Sequence, residues 1–155
     1  MRKLKQRLNR LAWGEAAASV SFLAVYGFYV NLGAASLTAL LFLVFQLLQG
    51  AAYWGYRSRN AGREASAAAY GVLTLLRSAN LIGAMLIVPW LVVLAQSRSD
   101  LAVGLALHVF AIVEYVNYYW YRLSYGKSGF NLRMLWRAGL RPSSIHKLLK
   151  RKPGR

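Results

Sequence analysis

The chain has no cysteine, four acidic residues, two histidines and three prolines in 155 residues. Without cysteine it can form no disulfide, thiolate metal site or thiol nucleophile. Four carboxylates and two imidazoles are too few for a protein-built metal centre, and no cofactor is expected. No Walker A loop, nucleophile elbow, HExxH pattern or paired carboxylate motif occurs. These absences favour a non-enzymatic reading.

What is present is apolar and basic. Hydrophobic residues make up 57% of the chain, against about 45–50% in ordinary soluble proteins. They are gathered into long runs separated by short basic stretches. Twenty Lys and Arg give a formal net charge of +16. A surplus this large points to nucleic acid or to an anionic membrane surface, and its placement decides which.

A membrane-crossing helix needs about 20 mostly apolar residues. Four runs qualify, over about residues 11–30, 34–56, 66–95 and 101–123. In lipid such a segment must satisfy its own backbone hydrogen bonds, so each run is helical. Short alternating segments of the β-barrel kind are missing. The connections are short, so neighbouring helices pack up-down-up-down. The expected fold is an all-α membrane protein with four transmembrane helices. Its parts are a basic tail over 1–10, a transmembrane domain over 11–125 and a basic tail over 126–155. The first apolar run is too long for a secretory signal, and a second span follows at once, so it is read as a retained span. Pro89 lies inside span 3 and predicts a kink.

Basic residues orient the spans. The amino-terminal tail carries five, the second loop three and the tail after span 4 ten, against Arg98 in the third loop and Arg77 within span 3. Both termini are therefore expected in the cytoplasm. Composition rich in Arg, Ala, Leu and Gly suggests a GC-rich bacterium, and hence the bacterial plasma membrane. Tyr53, Trp54, Tyr56, Tyr118, Tyr119, Trp120, Tyr121 and Tyr125 cluster at the cytoplasmic span ends, and Trp90 lies toward the other side. They read as an interfacial aromatic belt. Small residues four apart (Gly14 and Ala18, Ala17 and Ser21, Ala79 and Gly83) predict close helix contacts.

Polar groups at membrane depth need a reason, because an ionised side chain there costs about 2.5–3.5 kcal/mol on insertion scales. The candidates form an intramembrane set of Arg77, Asn80, His108, Glu114, Asn117 and Tyr118, with Gln46 and Gln49 in span 2 and Glu15 near the start of span 1. Counting at 1.5 Å per residue places Arg77 and Glu114 at one depth on consecutive helices. They are expected to form an ion pair. Glu114, Asn117 and Tyr118 share a helix face, and His108 points elsewhere.

The tail predicts two short amphipathic helices. One runs from a cap at Asn131 to Ala138, and the other follows Pro142-Ser143-Ser144 and carries Ile145, Leu148 and Leu149. Their basic residues, Arg133, Arg137, Arg141, Lys147, Lys150, Arg151 and Lys152, are the expected contacts for lipid or a partner. A helix-turn-helix needs a third helix and its own core, for which the tail has no room, so nucleic acid is set aside. Three functions follow. The first is an accessory or assembly module that binds anionic headgroups, a membrane-protein partner or a second copy of itself through the tail. Deleting residues 127–155 should then leave the spans folded. The second is a small oligomeric proton-coupled transporter or channel along Arg77, Glu114 and Asn117. The third is a lipid-modifying enzyme with a pocket beside Glu114 and His108.

Overall fold

The computed structural model describes residues 2–30, 32–123 and 140–150. Four helices are long and apolar enough to cross a membrane, as in a multi-pass membrane protein. Helix α1 spans Arg2–Val25 and widens into a π turn over Tyr26–Val30. Helix α2 spans Ala34–Arg59, α3 Ala67–Leu94 and α4 Arg98–Tyr119. A two-residue strand β1, Tyr121–Arg122, pairs antiparallel with β2, Arg141–Pro142, ahead of the short helix α5, Ser144–Lys150.

Local chemistry sets the helix ends. Ser66 caps α3 by accepting from the Ala69 amide at 3.2 Å, and Ser97 caps α4 by accepting from Asp100 at 3.1 Å. Pro89 is carried within α3 without ending it. The expected helix over 131–138 lies outside the described residues, as do Tyr125, Arg133, Arg137, Arg151 and Lys152.

Helix α2 is the hub. It contributes ten of the buried residues, from Ala35 to Tyr53, and packs on α1, α3 and α4. Helix α3 buries only Leu73, Asn80 and Leu91. Leu75, Met85 and Val93 on it are about 70% exposed, a surface that is stable against lipid tails and not against water.

The close helix approaches fall elsewhere than the small-residue spacing suggests. A Cβ on Gly14 would meet nothing within 4 Å. At Gly104 it would lie 3.2 Å from the Ala35 backbone, at Gly50 2.6 Å from the Tyr118 hydroxyl, and at Gly83 3.0 Å from the Phe42 ring. Of the expected positions, Gly83 marks such an approach and Gly14 does not, while Ala18 packs against the Leu43, Leu47 and Ala111 cluster. Spacing finds small residues, but the neighbour across the groove decides which of them are used.

Two further expectations are corrected. Tyr53, Tyr118 and Tyr119 do not line an interfacial belt. They join Leu73, Tyr115 and Ile145 in a buried cluster. Helix α5 does not lie free on a lipid surface. Its apolar face, Ile145 with Leu148 and Leu149, packs into that cluster and leaves Lys147 and Lys150 exposed. The aromatic rings had two ways to leave water, and the bundle end with α5 across it supplied the second.

Candidate functional site

Asp100 stands at the end of the bundle where α2 and α4 begin. Its side chain is fully buried. It accepts from the amides of Ser36 at 2.8 Å, Ala35 at 3.3 Å and Gln96 at 3.1 Å, and from the Ser36 hydroxyl at 2.6 Å. An α-helix begins with amides that have no internal acceptor, and Asp100 supplies one to α2 from 64 residues along the chain. The negative charge also suits the positive end of the α2 dipole. Tyr26 closes the same corner by donating to the Gly33 carbonyl at 3.0 Å. This is structural clasping.

The six intramembrane polar residues separate into four places. Asn80 is buried and exchanges two amide hydrogen bonds with Gln49, at 2.7 and 3.2 Å, while Tyr119 donates to Gln49 Oε1 at 3.0 Å. This network ties α2, α3 and α4. Asn80→Ala is expected to cost about 1–2 kcal/mol, read as a lower unfolding midpoint in detergent. An unchanged midpoint would remove the network from the account.

His108 is buried and stacks on Phe42 with ring centroids 6.1 Å apart. Both of its ring nitrogens, both amide atoms of Gln46 and the Tyr115 hydroxyl are buried without a hydrogen-bond partner.

Glu114 takes a hydrogen bond from Asn117 Nδ2 at 3.2 Å, and Asn117 Oδ1 accepts from the Leu123 amide at 2.9 Å. Tyr118 lies within electrostatic reach of Glu114 and of Glu15, the latter contributed by α1.

Arg77 goes to the other side of α4. Its guanidinium carbon sits 4.2 Å from the centroid of the Trp120 ring, a cation–π contact. Among the described residues, which include all four carboxylates of the chain, no ion pair joins Arg77 to an acid, so the expected pair with Glu114 does not form. The two residues lie on neighbouring helices, but Arg77 faces the Tyr115 and Trp120 side of α4, whereas Glu114 is held by Asn117.

Arg77 borders a cavity of about 330 Å³ lined by Tyr70, Thr74, Ser78, Leu81, Tyr115, Trp120 and Leu149. One wall is apolar, Thr74 donates to the Tyr70 carbonyl at 2.9 Å, and the Ser78 hydroxyl stands beside the cation. Helix α5 closes one side, where Tyr70 donates to the Leu149 carbonyl at 3.3 Å. A second cavity, of about 520 Å³, is apolar and lies along Gly83, Leu86, Pro89, Trp90 and Val93 of α3. Neither cavity is lined by Glu114 or His108. Of the expected basic contacts, Arg141, Lys147 and Lys150 are described, and all three are exposed.

A scan against protein-family models, a search of curated proteins and a search of solved structures each found no match.

Proposed function

We propose that this chain is a non-enzymatic accessory module of the bacterial plasma membrane that holds an anionic lipid headgroup at its cytoplasmic end. In this reading the bundle runs up-down-up-down with both termini inside, following the basic residues at the span ends. The observation that carries the proposal is the state of Arg77. A guanidinium at membrane depth needs an anion, and this one has an aromatic face, the neighbouring Ser78 hydroxyl and no carboxylate among the described residues. A phosphate fits that setting, since it accepts from guanidinium and hydroxyl donors together. The acyl chains of the same lipid match the apolar flank of α3. Exposed Arg141, Lys147 and Lys150 add attraction of about 1 kcal/mol each near an anionic surface.

Native mass spectrometry of the purified chain tests this. With phosphatidylglycerol and phosphatidylethanolamine offered together, the parent chain should retain the anionic lipid. Arg77→Gln should weaken that retention about tenfold, equivalent to about 1.4 kcal/mol. Arg63→Gln, in an exposed loop, should change it little. Equal retention by the parent chain and Arg77→Gln would reject the site.

A further inference from the structure

Helix α5 is joined to the end of α4 by more than the burial of Ile145. The last carbonyls of a helix have no internal donor. Here three in succession are met by the segment that opens α5. The Ser143 hydroxyl donates to the Tyr118 carbonyl, and the Ser143 amide donates to the Trp120 carbonyl at 3.0 Å. Between them, His146 Nδ1 lies 3.3 Å from the Tyr119 carbonyl, a hydrogen bond that the Nδ1–H tautomer donates.

The same segment reaches the Arg77 cavity at two points. The Trp120 ring carries the Arg77 guanidinium 4.2 Å from its centroid, and the His146 ring packs on Trp120 with centroids 5.9 Å apart. Leu149 forms part of the cavity wall, and its carbonyl accepts from Tyr70, another wall residue, at 3.3 Å. A helix of seven residues has little cohesion of its own. These contacts therefore decide whether α5 stays docked.

We propose that α5 is a latch on the Arg77 cavity, docked more firmly when an anionic headgroup is bound there and released more readily when none is. The latch rests on the reading of that cavity as a headgroup site. A ligand shifts a two-state element only by binding one state better than the other, and the docked state is the better binder. Leu149 completes an apolar wall that keeps water from the contact between guanidinium and phosphate, and a lower dielectric strengthens that contact. The His146 ring backs Trp120, which in turn steadies Arg77. With α5 released, the carbonyls of Tyr118, Tyr119 and Trp120 lose their donors, and the end of α4 that carries Trp120 frays. Helix α5 also exposes Lys147 and Lys150. Occupancy of the cavity is thereby converted into a change in how this basic face is presented.

The test measures both halves of the coupling on the full chain in detergent, with phosphatidylglycerol or phosphatidylethanolamine added. Amide hydrogen exchange over residues 144–150 reads the docking of α5, and native mass spectrometry reads lipid retention. Phosphatidylglycerol should slow that exchange about tenfold, and phosphatidylethanolamine should not. Arg77→Gln should lose the slowing, while Glu64→Gln at an exposed position should keep it. Coupling is reciprocal, so His146→Ala should weaken retention of phosphatidylglycerol about tenfold. His146→Phe, which keeps a ring against Trp120, should recover most of that loss. This arm remains readable if Arg77→Gln does not fold. Retention of phosphatidylglycerol by the parent chain with unchanged exchange in α5 would overturn the latch and leave the headgroup site standing. Slowing that persists in Arg77→Gln would show α5 adhering to anionic lipid through its lysines alone, and would overturn the latch too, as would full retention by His146→Ala. Equal retention of the two lipids by the parent chain would instead overturn the headgroup site itself, and the latch with it.

Discussion

Asp100→Ala should lower the stability of the bundle by about 3–5 kcal/mol. The estimate follows from what the side chain leaves behind. Ala35 and Ser36 lose the acceptor for their amides at the start of α2, and both residues are fully buried. Each orphaned donor costs about 1–3 kcal/mol, and the Ser36 hydroxyl and the Gln96 amide lose the same partner. Asp100→Asn should do less harm, since it keeps one acceptor oxygen and the shape, but its amide nitrogen then faces donors. Gly33→Ala should act in the same direction, because the added Cβ would sit 2.5 Å from Asp100 Oδ2 and force the clasp open. Equilibrium unfolding in mixed detergent measures all three. A midpoint for Asp100→Ala within error of the parent would show that the clasp does not hold α2 to α4.

The second large effect concerns the carboxy-terminal helix. Removing residues 140–155 should destabilise the spans, contrary to the expectation drawn from sequence that they stay folded without the tail. Ile145 is 4% exposed and is packed among Tyr53, Leu73, Tyr115, Tyr118 and Tyr119. The segment is also hydrogen bonded to the bundle. Ser143 donates to the Tyr118 carbonyl, and the Tyr53 and Ser144 hydroxyls lie 2.7 Å apart. Ile145→Ala alone should cost about 2–4 kcal/mol through lost burial and the cavity it leaves. Lys147→Ala, on the exposed face of the same helix, should cost almost nothing. Proteolysis in detergent provides the readout. Ile145→Ala should be clipped in α5 well before the parent chain, and equal clipping rates would mean that α5 is not part of the fold.

The helices were legible because hydropathy and length report directly on what lipid demands of a backbone. The Pro142-Ser143-Ser144 turn was legible because the start of a helix is chemistry local to a few residues. The candidate sites were legible only in part. Rise per residue gives depth along a helix, so Arg77 and Glu114 were set level with each other. It does not give the direction each side chain takes around the bundle. That direction depends on what flanks each helix, and there Arg77 found Trp120 while Glu114 found Asn117. The Asp100 clasp was invisible for a related reason. It joins helices that are not consecutive in the chain, and no short motif records such a contact.

The lipid reading assumes that the bundle crosses the bilayer with its basic end in the cytoplasm. Because the chain has no native cysteine, single cysteines report on sidedness without background. Lys3→Cys, Glu64→Cys, Ser99→Cys and Lys147→Cys place one thiol each at exposed positions at α1, before α3, at the start of α4 and on α5. A membrane-impermeant maleimide added to intact cells should label only the Ser99→Cys chain, and the other three should react after permeabilisation. Labelling of Glu64→Cys or Lys147→Cys from outside, or of all four alike, would contradict the account.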